Sequence, residues 1–272
     1  MPELPEVETT RRGIRAHIIG PVISEIRINN PNLRWPVPSE ALMKALPGQK
    51  IISVIRRGKY LLLNCGNGHL ILHLGMSGSL RILKQSVAAE KHEHIEILFN
   101  NGKVLRLRDP RRFGAALWTE QPPYEHPLLS SLGPEPLADD FDGEYLFQQT
   151  RNRRCSIKNL IMDAHVVVGV GNIYASESLF HAGIRPAKAA SRLSLKSCHQ
   201  LVLAIKKILT RAIAAGGTTL RDFTDSNGQA GYFSQRLFVY GREGENCLQC
   251  TGMIKRKLIG QRSSFYCPYC QK

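Results

Sequence analysis

The chain ends in two CxxC pairs, CLQC and CPYC, which place Cys247, Cys250, Cys267 and Cys270 within the last 26 residues. Sixteen residues separate the pairs, a spacing that fits a zinc ribbon, and four thiolates are the ligand set of a closed tetrahedral structural zinc. A chain with such a site must bring both pairs together on one small element. The redox alternative requires two disulfides, which a reducing compartment disfavours. Between the pairs, TGMIKRKLIGQRSSFY predicts a short β-hairpin carrying Lys255, Arg256, Lys257 and Arg262, four donors suited to phosphate. With sulfur in all four positions, the single expected Zn2+ is a staple and leaves no open place for chemistry. Cys65, Cys155 and Cys198 lack metal-like spacing and read as reduced packing residues.

The basic hairpin belongs to a basic chain. Against 22 Asp and Glu stand 37 Lys and Arg, a net charge of +15 that points to a polyanionic partner, nucleic acid before an anionic membrane surface. No apolar run approaches the ~18 residues of a spanning helix, and Glu3, Glu6 and Glu8 stand where a signal sequence would be basic and then apolar. A cytosolic, nucleoid-associated protein without a membrane partner is expected. Its 272 residues suit roughly two domains of ~150 residues each.

Hydrophobic period divides the chain. After an N-terminal helix running from Glu6 to about His17, with Pro5 suited to a first turn, the first 120 residues read as strands. YLLLNC turns through Gly66-Asn67-Gly68 into HLILHL, and HIEILF turns through Asn100-Asn101-Gly102 into KVLRLR, both strong hairpin signals. Strands in this number predict a β-sandwich or barrel-like half. A proline-rich loop at 121–142 marks a boundary, beyond which the spacing becomes helical, most clearly in LSLKSCHQLVLAIKKILTRAIAAGG. The stretch TTLRDFTDSNGQAGYFSQR reads as an exposed loop.

Nucleotide motifs are missing. GVGN at 169–172 has Tyr174 where GxGxxG needs glycine, and RRGK has Ser53 where a P-loop needs one, so no nucleotide cofactor is expected. His92-Glu93-His94 lacks HExxH spacing, and its two histidines read as surface histidines on a strand edge. Two glycine-flanked stretches are more suggestive. RDPRRFGA sets Phe113 among arginines and HLGMSGSL sets Met76 in a tight turn; an apolar wedge beside arginine prises stacked bases apart, although such residues also serve as core.

Together, MPELPEVETT, RRGKYLLL, HLGMSGSL, DPRRFGA, LGPEPL, VVGVGNIYASESLF, GGTTLRDF and the four-cysteine tail resemble bacterial formamidopyrimidine-DNA glycosylases from end to end. The related endonuclease VIII branch typically opens with a PEGPE-like start, whereas Leu4 fits the oxidised-purine branch. The resemblance implies an α+β multidomain fold: a catalytic β-sandwich with flanking helices over 1–133, a helical domain with a helix-two-turn-helix element over 134–237, and a zinc-finger β-hairpin over 238–272. It implies a monomer acting on damaged double-stranded DNA, removing 8-oxoguanine and formamidopyrimidines and then cleaving the abasic strand.

The same resemblance assigns roles. Removal of Met1 would free the Pro2 nitrogen as nucleophile, with Glu3 as proton donor in opening the deoxyribose ring and Glu6 supporting it. Lys59 matches an acid in β-elimination, and Arg262 a proton donor in δ-elimination, although its permanently charged guanidinium suits phosphate clamping better. Met76, Arg111 and Phe113 match a void-filling triad. His92, Arg153, Lys158 and Asn172 match DNA-backbone contacts, with Arg153 where lysine is common. The loop 218–232 matches a segment closing over the flipped base.

Overall fold

The structure is a computed structural model that describes residues 2–216 and 237–272. The expected loop at 218–232 therefore lies outside the described residues. By packing, the described chain forms two compact units, residues 2–130 and residues 131–215 with 237–272. The division falls in the proline-rich segment, and the cysteine tail belongs to the helical unit.

The first unit begins with helix α1 (Leu4–Ile18). Pro5 sits in its first turn, and a capping box pairs Glu3 with Glu6, so the helix starts two residues before the sequence signal suggests. Strand β1 (Ile23–Ile28) and helix α2 (Ser39–Ala45) follow, the helix unforeseen because seven residues carry little periodic signal. Then come β2 (Ser53–Arg57), β3 (Tyr60–Asn64), β4 (His69–His73), β5 (Ser79–Lys84), β6 (Glu93–Phe99), β7 (Lys103–Arg108) and β8 (Ala115–Thr119). The two expected hairpins form, β3 to β4 and β6 to β7, with Gly66 and Gly102 at positive φ in their turns.

Among the described residues these strands make two antiparallel sheets, β1-β6-β7-β5 and β2-β3-β4-β8. Leu61, Leu63, Leu70 and Leu72 from one and Ile26, Ile95, Ile97, Leu105 and Leu107 from the other share a core, which α1 helps close. This is a β-sandwich flanked by helices.

The His92-Glu93-His94 expectation needs correcting. His92 is half-buried, and Glu93 and His94 are buried in β6, an interior strand between β1 and β7. Charge pairing across strands makes this possible. Arg106 on β7 reaches Glu93 at 3.1 Å and Glu96 at 2.8 Å, and also donates to the carbonyls of Val87 and Ala88.

The short α3 (Pro127–Ser130) closes the first unit, and the second holds α4 (Gly143–Thr150), α5 (Ile157–Met162), α6 (Asn172–His181) and α7 (Leu195–Ala214). Side-chain N-caps start three of these: Asp142, Ser156 and Ser194. Leu201, Ile205, Ile208 and Leu209 line the buried face of α7. The tail forms the hairpin β9 (Lys255–Ile259) and β10 (Arg262–Tyr266), reversed by Gly260 and Gln261, both at positive φ as a tight two-residue turn requires. No described helix is long and apolar enough to cross a membrane.

Replacing Arg106 by Met would leave two glutamates buried without their partner. Arg106→Met is expected to lower unfolding free energy by about 3–5 kcal/mol. Urea titration of the purified protein measures this, and a loss below about 1 kcal/mol would show that the cluster is not needed to hold the sheet.

Candidate functional site

Pro2 and Glu3 lie at the start of α1, both buried. The Glu3 backbone N–H donates to Glu6 Oε2 at 2.9 Å, which fixes the entry of the chain into the helix. One turn on, the nearly buried Glu8 carboxylate meets three guanidinium groups: Arg11 at 2.8 Å, Arg12 at 2.8 Å and Arg56 at 3.3 Å. Burial alone would raise its pKa, but hydrogen bonds from Arg11 and Arg12 and the charges of Arg11 and Arg56 bring it down to about 2. Arg56 also donates to the Gly58 carbonyl at 3.1 Å. Gly58, at φ +57, makes the reversal from β2 to β3 that presents Lys59. Glu8 thus ties the turn carrying Lys59 to the helix that begins behind Pro2.

His73 was not singled out by sequence, where it reads as the end of a strand. It pairs with Tyr60 across β4 and β3, with ring centroids 4.8 Å apart. Burial, helped by the charges of Lys59 and Arg34 and opposed by Asp109, brings its pKa down to about 4. The ring is therefore neutral at pH 7, and its Nδ1 accepts the Gly75 N–H at 3.0 Å.

Met76 and Phe113 face solvent at 39% and 41% exposure, so neither is a core residue. The Arg111 guanidinium carbon lies 5.0 Å from the Phe113 ring centre, within cation–π range. The loops bearing them touch backbone to backbone at Gly75: a Cβ there would lie 2.5 Å from the Gly114 nitrogen. Gly75 (φ +61), Arg112 (φ +57) and the half-buried His92 (φ +73) all hold left-handed backbone.

In the second unit, Arg153 is exposed beside Asn152 at φ +61. Cys155, expected to pack, is exposed as well, whereas Cys65 and Cys198 are buried as expected. Lys158 lies fully inside the protein. Its ammonium donates to Asn172 Oδ1 at 2.5 Å, Ser264 Oγ at 2.6 Å and the Ser263 carbonyl at 3.1 Å, while Asn172 Nδ2 donates to that same carbonyl at 3.1 Å. A lysine that sequence places at the DNA surface is thus a strut joining α5, the start of α6 and β10. At the exposed start of β10 stands Arg262. Lys255, Arg256 and Lys257 are also exposed, and Arg256 pairs with Glu243 at 2.8 Å.

The ligand atoms of Cys247, Cys250, Cys267 and Cys270 lie within 4.8 Å of one another. Burial, and then hydrogen bonds among the four sulfurs, push the Cys270 thiol well up. The donor set fits one tetrahedral metal.

Family models match both main parts of the chain: the formamidopyrimidine-DNA glycosylase N-terminal domain over residues 1–116, and the formamidopyrimidine-DNA glycosylase H2TH domain over residues 132–224. A sandwich, a helix-two-turn-helix unit and a four-cysteine hairpin on one basic chain define a DNA-repair glycosylase. Two similar relatives, the formamidopyrimidine-DNA glycosylases of Thioalkalivibrio sulfidiphilus and Escherichia coli, are each 55% identical over 272 residues, covering 100% of both chains. The Lactococcus lactis enzyme, solved in complex with DNA containing an abasic site, superposes with a TM-score of 0.91 at 35% identity, covering 99% of each chain. The chain belongs to the formamidopyrimidine-DNA glycosylase family.

Removing the Glu8 charge tests the anchor behind Lys59. Because its pKa is about 2 in the fold against 4.5 ordinarily, Glu8 contributes stability that is complete above pH 4.5 and lost as pH falls toward 2. Glu8→Gln is expected to destabilise the protein by about 1–3 kcal/mol at pH 7, with the gap to the native protein narrowing below pH ~4.5. Urea titrations at pH 7, 4 and 3 measure it, and a gap independent of pH refutes the assignment.

Proposed function

We propose that this protein removes 8-oxoguanine and formamidopyrimidines from duplex DNA through the Pro2 nitrogen and then cleaves the abasic strand by β- and δ-elimination. The observation that carries the proposal is the full-length likeness to the Lactococcus lactis enzyme, a mutant of which, solved with Fapy-dG-containing DNA, superposes at a TM-score of 0.92 and 35% identity. Pro2 and Glu3 at the head of α1, with Lys59 on the turn anchored to that helix, support the chemistry.

Removal of Met1 frees a secondary amine at Pro2. An α-amino group has an ordinary pKa near ~8 against ~10.4 for lysine, so more of it is unprotonated at pH 7. Attack of the Pro2 nitrogen on C1′ forms the N–C bond as the C1′–base bond breaks, and the base leaves with the electron pair and takes a proton. Glu3 supplies a proton to the ring oxygen as the sugar opens to an iminium. That cation is an electron sink, so the C2′ proton is lost and the 3′-phosphate leaves; a second elimination expels the 5′-phosphate. Lys59 serves the first elimination and Arg262 clamps phosphate.

The damaged base must first leave the stack, at a cost of a few kcal/mol. Met76 and Phe113 fill the void and Arg111 bonds the orphaned cytosine. His92, Arg153 and Asn172 meet the DNA backbone, and Lys158 holds Asn172 and the hairpin in place for them. One Zn2+ bound by the four cysteines fixes the hairpin. The protein acts as a cytosolic monomer without a nucleotide cofactor.

Borohydride trapping tests the reaction. With duplex carrying 8-oxoguanine opposite cytosine, a covalent adduct mapping to Pro2 is expected, and none when Met1 is retained. No adduct with this duplex or with thymine glycol would mean a DNA-binding protein without this catalysis; preference for thymine glycol would place it with oxidised-pyrimidine enzymes. Metal analysis of the purified protein should find one zinc per chain. Cys250→Ser should lower zinc content and weaken DNA binding, and a zinc-free protein that binds DNA normally refutes the staple.

A further inference from the structure

We infer that Asp109 is a positioning residue that joins the loops carrying Met76, Arg111 and Phe113 into one preformed wedge; the inference rests on the wedge role proposed above. Asp109 follows β7 and is completely buried. One carboxylate oxygen, Oδ1, accepts from Ser77 Oγ at 2.8 Å and from the Arg111 N–H at 3.3 Å. The other, Oδ2, accepts the Gly114 N–H at 2.7 Å. Ser77 immediately follows Met76, and Gly114 immediately follows Phe113, so one side chain holds the residues next to both apolar wedges and the backbone of the arginine.

The backbone of Asp109 extends the same hub. Its N–H donates to the His92 carbonyl at 3.0 Å, and its carbonyl accepts from the Arg112 N–H at 3.1 Å and the His94 Nε2–H at 2.7 Å. Four positions proposed to meet DNA thus converge on a residue that itself has no exposed surface.

The chemistry calls for a carboxylate. Both Asp109 oxygens face donors, the backbone N–H groups of Gly114 and Arg111 among them, and an amide would turn its NH2 toward one of them. Asn can therefore keep one loop but not both, whereas aspartate accepts on both sides. Ser77 transmits the hold to the Met76 turn, since its hydroxyl donates to Asp109 and accepts the Arg111 N–H at 3.3 Å. Gly114 is needed at the junction, where a Cβ would sit 3.0 Å from Asp109 Oδ2 and 2.8 Å from the His73 carbonyl.

The test separates wedge positioning from general folding by using a substrate that needs no wedge. Asp109→Asn is expected to lower kcat/KM for 8-oxoguanine excision from duplex by about 10- to 100-fold, as for a small misplacement of positioning groups. Its preference for cytosine over adenine opposite the lesion should fall too. Cleavage of a single-stranded oligonucleotide carrying an abasic site, with no stack to open, should change by less than about twofold. The double variant Met76→Ala/Phe113→Ala should show the same selective loss, and adding Asp109→Asn to it should cost little more, because the residues act through one contact set.

Equal loss on both substrates, or losses that multiply with those of the wedge variant, would overturn the inference while leaving the wedge reading intact. Full duplex activity of Met76→Ala/Phe113→Ala would instead remove the wedge reading, and the inference with it. Should Asp109→Asn not fold, Ser77→Ala cuts only the link to the Met76 turn and decides the matter: a selective duplex loss of about 3- to 10-fold is expected, and no loss overturns it.

Discussion

Glu8 accepts from Arg11, Arg12 and Arg56, and through Arg56 it holds the Gly58 reversal that presents Lys59. A carboxylate removed from water is tolerable only when its partners sit within hydrogen-bond reach, so the clamp is a geometric requirement of the fold as well as an attraction. Apolar contacts between α1 and the strands permit some sliding, because shape complementarity is soft to within a fraction of an ångström. Hydrogen bonds to one carboxylate from two elements do not. The first helix and the β2 to β3 turn are thereby locked in register, and the reagents proposed for the chemistry are attached to those two pieces.

The same device recurs wherever a loop has to be placed. Arg106 pairs with Glu93 and Glu96 inside the sheet and also holds the Val87 and Ala88 carbonyls of the loop leading to His92. In the second unit, Glu177 accepts the backbone N–H groups of Phe238, Val239 and Tyr240, each at 2.9 Å, and so anchors the segment ahead of the hairpin to α6. Lys158 does the corresponding work for β10. In each case a buried charge satisfies backbone groups that no helix or strand ladder reaches. Generic apolar cores give each unit its stability, while these few charges decide where its loops lie.

Local signals made much of this architecture legible. The doubled CxxC spacing, the Asn-Gly turns and Pro5 at the helix start act over a few residues, and the elements they mark are present. Residues whose environment comes from distant partners were misread. Lys158 looks like a surface cation until Ser263 and Ser264, more than 100 positions away, enclose its ammonium. Glu93 and His94 look exposed because the arginine that lets Glu93 be buried is on the next strand. Asp109 and Glu8 suggest no anchoring role for the same reason, since a carboxylate in a basic chain resembles ordinary surface charge until its donors are located.

Buried networks of this kind also account for how two large apolar side chains can stay in water without collapsing onto the core. Met76 and Phe113 are each about 40% exposed, and burying them against DNA bases would return apolar free energy to binding. That return shrinks if the loops must first be ordered, at roughly 1–2 kcal/mol for each residue fixed. Left-handed backbone at the non-glycine residues Arg112 and His92 shows that the loops carrying them are already held in sparsely populated conformations. The ordering cost is met during folding, by a carboxylate whose own burial is stabilised by the very donors that need fixing. On the proposed wedge role, residues held this way would enter the stack without further ordering, and their apolar burial would offset the cost of unstacking the damaged base.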